Sequence, residues 1–401
     1  MRSERWHQAF ATVPRHRFLP AFFRIAGNGW EPVSPSVSGA EAWLEAVYSD
    51  QPCITQLDEH LTPDEVDGVV EGEPTSSSSM PSLMAVMLEC LDFSDDAQIL
   101  EVGTGSGYNA AILTTGLGSD QVTTVEVDPG VAADARQVLT DLGLTPRVIV
   151  GDGLASVAEP ASFDRITATC SVSRVPRAWI RQVRPGGRIL ATLTGPLYGS
   201  AQVLLSVDDR GAAEGRFVNP ESSFMRARTP KSSPEEMGWA PRRDILTTAP
   251  RCPAKWPLAA LDQWPINVLA QWAAPGATRG EIGYGEHGQD WVPMLHDGRE
   301  ATSFAAFSTD ATGQVMVAEG GPRRLWTAVE DILTVWTDSG RAGLDAFRMR
   351  IDPDGVHTIH LDRAGRAWTL QVDQPTEQDD RPGSHVKLAT PNSDDGPRPR
   401  E

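Results

Sequence analysis

Residues 99–111 read "ILEVGTGSGYNAA", an apolar run followed by glycines at 103, 105 and 107. Bare backbone there lets a ligand lie close against the main chain. The spacing restricts which ligand. A dinucleotide fingerprint is G-x-G-x-x-G, whereas here position 108 is Tyr and the third glycine comes one residue early. A phosphate-cradling G-x-x-x-x-G-K-[ST] loop is also excluded, because no lysine follows. Two more acids fall at corresponding places downstream. Glu126 ends the strand within "QVTTVEV", just before Val127, and Asp152-Gly153 follows "RVIVG". A carboxylate at the end of a second strand can accept from both ribose hydroxyls, and one at the end of a third from an adenine amino group. Each acid alone is more often a solvated loop residue. Three successive strand ends with suitable polar groups point to a nucleoside ligand without phosphate.

The elements that must position these residues alternate. "MPSLMAVMLECL" places Leu83, Val86, Met87 and Leu91 at helical spacing. There follow the strand "AQILEVG", the helix "YNAAILTTGLG", the strand "QVTTVEV" and the helix "PGVAADARQVLTDLG". "RVIVGD" and "FDRITATC" are further strands, then the helix "VPRAWIRQV" and the strand "GGRILATLT"; "AQVLLSVD" and "GRFVN" are expected to close the sheet. The strands are apolar throughout, as when helices cover both faces. Strand–helix alternation predicts an α/β fold, a doubly wound Rossmann-like parallel sheet with ligands beyond the carboxyl ends of the strands.

Five regions are expected: an N-terminal segment over 1–80, irregular with short helical patches; the nucleoside-binding domain over 81–228; a proline-rich linker over 229–257; an α+β accessory domain over 258–372; and a disordered acidic tail over 373–401. The accessory region carries a helix with Leu325, Val329, Ile332, Leu333 and Trp336 on one face, then hairpin strands "FRMRI", "VHTIHLD" and "AWTLQV". His357 and His360 point to opposite faces of one such strand, so they do not form a metal pair.

The 401 residues carry a net charge of −19, which argues against nucleic acid as partner, since phosphate binding needs a basic stripe. No apolar run approaches the ~20 residues that cross a bilayer. The N-terminus lacks a secretory signal, so a cytoplasmic location and no membrane partner are expected. The four cysteines, at 53, 90, 170 and 252, are scattered and form neither a zinc pattern nor a disulfide framework.

The run E-x-G-x-G-x-G resembles motif I of class I methyltransferases, which bind S-adenosylmethionine. That resemblance implies a cofactor site built from Glu101, Gly103, Thr104, Gly105, Ser106, Gly107, Glu126, Val127, Asp152 and Gly153. An acceptor that is already an anion needs no base and no metal, because a carboxylate with a pKa near ~4 is ionised at neutral pH. "TATCSVSRVP", after the fourth strand, carries no amine-binding signature. Three N-terminal segments sharpen the match: "VPRHRFLP" (13–20), "VYSDQP" (47–52) and "TSSSSMPSLMA" (75–85). With "GDG", "FDRI" and "RPGGRIL", they resemble protein-L-isoaspartate O-methyltransferases over residues 6–220. The resemblance places Ser79 on that family's active-site serine, with Ser76, Ser77 and Ser78 on the cofactor-contacting residues before it. Without it, a four-serine run reads as a flexible linker.

This chain departs from the family pattern in a long acidic link, "CITQLDEHLTPDEVDGVVEGEPT", in Ser77-Ser78 replacing Thr-Ile, in Met84 where some members have His, and in the added C-terminal part. Extended relatives tailor ribosomally made peptides, including crosslinked precursors, by methylating one Asp that then closes to an aspartimide. The resemblance therefore implies a peptide or protein substrate bearing an Asp or isoAsp carboxylate, with precursor tailoring ahead of repair of damaged proteins. A non-catalytic cofactor-binding scaffold and a small-molecule methyltransferase stay open.

Overall fold

The computed structural model describes residues 2–218, 222–228, 249–284, 290–297 and 302–370. The N-terminal segment holds helices α1 (Glu4–Thr12), α2 (Pro35–Ser38) and α3 (Ala40–Val47). It also holds strands β1 (Phe22–Ala26), β2 (Gly29–Val33), β3 (Cys53–Leu57) and β4 (Pro74–Ser78). These strands form an antiparallel sheet in the order β2-β1-β3-β4, where the sequence reading expected irregular chain. The alternation was hidden because the strands are short and carry Pro32, Gln56 and three serines. The serine run is therefore no linker: Cys53 pairs with Ser78 and Ile54 with Ser77.

The central sheet begins after helix α4 (Pro81–Leu91). It comprises β5 (Ile99–Val102), β6 (Val122–Glu126), β7 (Arg147–Val150), β8 (Phe163–Val172), β9 (Val183–Thr194), β10 (Ser200–Val207) and β11 (Ala213–Val218). Helices α5 (Tyr108–Leu117), α6 (Pro129–Asp141) and α7 (Arg177–Gln182) connect its parallel part. Strand order β7-β6-β5-β8-β9 is parallel, with the order reversing between β5 and β8, and β10 and β11 continue antiparallel. Side chains along the strands split between two cores. Ile99 and Leu190 pack with Trp6, Met87, Leu88 and Ile112 on one face, while Leu100, Val102 and Ile189 pack with Trp179 on the other. Helix α4 turns Met84, Met87, Leu88 and Leu91 inward with Leu83 half-buried beside them; Val86, read from sequence as part of that face, stands outside it.

The sheet does not close at β11. Beyond it lie β12 (Arg251–Pro253), helix α8 (Ile266–Ala273), β13 (Ala277–Tyr284), β14 (Asp290–Asp297), β15 (Phe304–Thr309), β16 (Val315–Gly320), helix α9 (Leu325–Asp338), β17 (Arg348–Ile351), β18 (His357–Leu361) and β19 (Arg366–Leu370). β17 pairs with β11, so β17–β19 extend the central sheet to ten strands. A third sheet has the order β12-β16-β15-β14-β13. The region expected as a separate accessory domain thus shares a core with the first: Trp272 of α8 lies 4.6 Å from Phe217 of β11 and 5.5 Å from Phe347. Of the expected linker, residues 229–248 fall outside the described residues, and Arg251–Pro253 is an edge strand. The expected tail, 373–401, also lies outside them. Among the described residues, no helix is long and apolar enough to cross a membrane.

Candidate active site

The turn after β5 is held by close approach. Gly105 has φ +52°, and a Cβ there would sit 2.7 Å from the carbonyl oxygen of Ser77. Gly103, at φ +97°, would place one 2.8 Å from Thr169 Oγ1. Both positions demand glycine on conformation and on space. Gly107 is the left-handed residue that opens α5. Gly103, Thr104, Gly105 and Ser106 line one cavity with Glu126, Val127 and Gly153.

Glu126 is fixed by backbone amides. Its Oε2 accepts from Gly105 N at 2.9 Å, and its Oε1 from Val127 N at 3.0 Å and Asp128 N at 3.2 Å. Glu101 stands differently from the sequence expectation: it is completely buried behind the cavity wall. Asn109 Nδ2 and Thr124 Oγ1 each donate to its carboxyl at 2.7 Å. Burial pushes that carboxyl up to about 7, with the Glu126 charge adding to the rise. The residue that reaches the cavity is Asn109, whose Oδ1 is buried without a partner. Asp152 is likewise set back, its Oδ1 accepting from Leu154 N at 2.9 Å, while Gly153 and Leu154 form the wall.

Strand β4 supplies the opposite wall. Ser76, Ser77, Ser78 and Ser79 all line the same cavity, so the structure brings the serine run against the glycine turn. Ser78 Oγ is buried with no partner, and Thr55 donates to Ser76 Oγ at 2.9 Å. The next helix, α4, is started by Pro81 at its first turn and by Asp50, whose Oδ1 accepts from Ser82 N at 2.9 Å. That contact explains the aspartate of "VYSDQP". A second cavity adjoins the first, and four residues line both: Ser77, Ser79, Thr169 and Met225. Thr169 is placed there by a register irregularity between β8 and β9 over Thr167–Ser171, the kind of local break that re-aims side chains beside sites. Thr169 Oγ1 donates to Gly103 O at 2.6 Å. Burial and the Glu126 charge push the thiol of Cys170, beside it, up to about 12, which disfavours a thiolate there.

Sequence reasoning missed one side of the site. Residues 222–228 cross the carboxyl end of β8, with Ser171 N donating to Met225 O and Ala227 N to Ser171 O, both at 2.8 Å. From this strap Met225, Arg226, Ala227 and Arg228 line the first cavity. Arg228 reaches across to Thr75 O at 3.1 Å and Glu59 at 3.3 Å. "SSFMRAR" carries no periodicity that announces a ligand contact.

The orphaned Asn109 Oδ1 and Ser78 Oγ, the carboxylate of Glu126 and the glycine turn fit a nucleoside with an amino-acid arm, as in S-adenosylmethionine. Fold and site thus define a class I S-adenosylmethionine-dependent methyltransferase. Residues 1–219 match the protein-L-isoaspartate(D-aspartate) O-methyltransferase (PCMT) family, and the chain belongs to it. A protein-L-isoaspartate O-methyltransferase of Methanococcus maripaludis strain C5 is 34% identical over 185 residues, 46% of this chain and 70% of the relative. Protein-L-isoaspartate O-methyltransferase 2 of Syntrophobacter fumaroxidans is 36% identical over 143 residues, 35% of this chain; the chain spans only 57% of that relative's length. A solved structure of a protein-L-isoaspartate O-methyltransferase aligns with a TM-score of 0.51 at 20% identity, covering 89% of this chain and 95% of its own. That alignment extends well beyond the part matched by the family, so the C-terminal half has a counterpart in fold.

Proposed function

We propose that the chain esterifies an isoaspartyl or aspartyl carboxylate within a peptide, using S-adenosylmethionine. The observation that carries this reading is the junction of the two cavities at Ser77, Ser79, Thr169 and Met225. Glu126, Asn109 and the turn 103–106 would hold the cofactor. Bound S-adenosylmethionine supplies a methyl group on a sulfonium, which an ionised carboxylate takes by in-line displacement to give a methyl ester and a neutral thioether. Among the described residues, no Asp, Glu, His, Lys or Arg lines the second cavity. An ionised acceptor needs none, because no proton has to be removed. The protein's contribution is then orientation and exclusion of water, worth up to about 7–11 kcal/mol in favourable cases. Ser79 lines both cavities and its hydroxyl has no partner among the described residues, which supports a role for it as donor to the acceptor carboxylate.

Repair of isoaspartyl damage is the first reading, supported by the family and by the names of the relatives. Tailoring of one Asp in a modified precursor peptide is the second. It is favoured by β4, where Ser77-Ser78 replace the family's Thr-Ile and Ser77 lines the acceptor cavity. The C-terminal half no longer weighs toward tailoring, since a protein-L-isoaspartate O-methyltransferase shares its fold. Incubation with labelled cofactor and a generic isoaspartyl peptide separates the two. Efficient turnover supports repair, and turnover only on a constrained Asp peptide supports tailoring. Ser79→Ala should lower kcat by at least about 100-fold with S-adenosylhomocysteine affinity within about twofold; unchanged kcat removes Ser79 from the mechanism.

A further inference from the structure

Helix α4 has two apolar faces where a peripheral helix usually has one. Its core face is Met84, Met87, Leu88 and Leu91. Leu83, half-buried at the edge of that core, and Val86, one turn on, also line the acceptor cavity, and Val86 remains 41% exposed. Across the same cavity stand Ile54 beside β4 and Phe224 on the strap. All of this apolar surface is continuous with the junction at Ser79, where the acceptor carboxylate is placed.

We propose that this surface selects acceptors in which a leucine-sized or larger apolar side chain directly flanks the methylated residue. The inference rests on the carboxyl-methylation reading and names its substrate class. A neighbouring Cα lies about 3.8 Å away across an ordinary peptide bond, and one methylene farther across an isoaspartyl link, so a flanking side chain falls on the wall around the junction. An apolar flank removes Val86 and Leu83 from water. A charged flank is desolvated there with no countercharge among the described lining residues. The cavity is thus selective by burial on one side and by an unpaired charge on the other.

The test uses the full chain and isoaspartyl hexapeptides that differ only in one flanking residue, Leu, Ala, Glu or Lys, placed on either side in two series. In at least one series, kcat/KM for Leu should exceed that for Glu and for Lys by about tenfold or more. Val86→Lys should lower kcat/KM on the Leu peptide and raise it on the Glu peptide, a gain that misfolding cannot produce. Equal kcat/KM across flanking residues in both series, or the same ranking in Val86→Lys, overturns the inference. Absence of methylation on every peptide, with S-adenosylhomocysteine still bound, strikes the function itself instead.

Discussion

The guanidinium of Arg15, only 1% exposed, donates to the carbonyl oxygen of Ser79 at 3.2 Å. The same group donates to the carbonyls of Val47 at 2.7 Å and of Ser49 and Gln51 at 2.9 Å, and lies 5.7 Å from the centre of the Tyr108 ring. One arginine therefore joins the end of α3, the approach to β3, the end of β4 and the start of α5. Among the described residues no carboxylate shares in it; carbonyl dipoles hold both terminal nitrogens, while Nε is buried without a partner. The conspicuous arginine of "VPRHRFLP" is thus the fastening of the serine wall, not a ligand to the substrate.

Arg15→Met should accordingly lose stability and turnover together. It takes the donor from four carbonyls, of which that of Val47 is buried and costs about 1–3 kcal/mol if it finds no new donor. Arg15→Lys should recover little, because an ammonium cannot reproduce the planar fork. Urea unfolding and kcat of the two variants check this. Full activity in Arg15→Met would show that Ser79 needs no such anchor.

Gly105→Ala should weaken S-adenosylhomocysteine binding at least about tenfold, because both the backbone angle and the Ser77 carbonyl oppose a Cβ there. Gly143→Ala is the matched control: its φ is +73° with no atom within 4 Å of the added carbon, so only the conformational cost applies. Calorimetric titration of both variants decides. Equal affinities would mean that the turn is not pressed against β4.

Glu101 gives a pH dependence with a definite sign. Its folded-state carboxyl is raised to about 7 by burial, against an ordinary value of 4.5. The folded state holds the proton more tightly, so this contribution is fully present below pH 4.5 and is lost as pH rises through about 7. Glu101→Gln should remove that slope, of order a few kcal/mol at most. The difference in Tm between wild type and variant, followed across this interval, should bend; a flat difference contradicts the burial argument.

His357 works in the opposite direction and joins the C-terminal strands to the loop after β8. Its Nδ1 donates to Gly355 O at 2.9 Å and its Nε2 accepts from Val175 N at 3.1 Å, while Arg177 donates to Pro353 O at 3.0 Å. Burial is the main cause that pushes the imidazole down to about 4 from 6.5. Its stabilisation is therefore present above pH 6.5 and lost as pH falls through about 4. His357→Gln should flatten acid unfolding in that interval, as read by the difference in chemical-denaturation midpoints. An unchanged acid limb would place the sensitivity elsewhere.

What could be read from the chain follows from periodicity and punctuation. The parallel strands, the glycine turn and Glu126 were legible because apolar runs, glycines and terminal acids stand in fixed order. The N-terminal sheet was not, since Pro32 and the serines of β4 mask its alternation. Glu101 is set back for a geometric reason: a strand-end acid can point behind the wall, and Asn109, eight residues on, lines the cavity in its place. The strap with Met225, Arg226 and Arg228 lies beyond the span matched by the family, and only the folded chain brings it to the cavity. The continuation of the sheet from β11 into β17 joins residues more than a hundred apart, a pairing that local pattern does not specify.

The central claim is that the paired cavities deliver a methyl group to a carboxylate beside Ser79. Its most direct test is mass spectrometry of an isoaspartyl peptide, and of an aspartyl peptide carrying an apolar flank, after incubation with trideuteromethyl S-adenosylmethionine. The account predicts a deuterated, base-labile methyl ester on the side-chain or isoaspartyl carboxylate, strongly reduced in Ser79→Ala. Label recovered on nitrogen or sulfur, or no label on any peptide while S-adenosylhomocysteine binds normally, would contradict it.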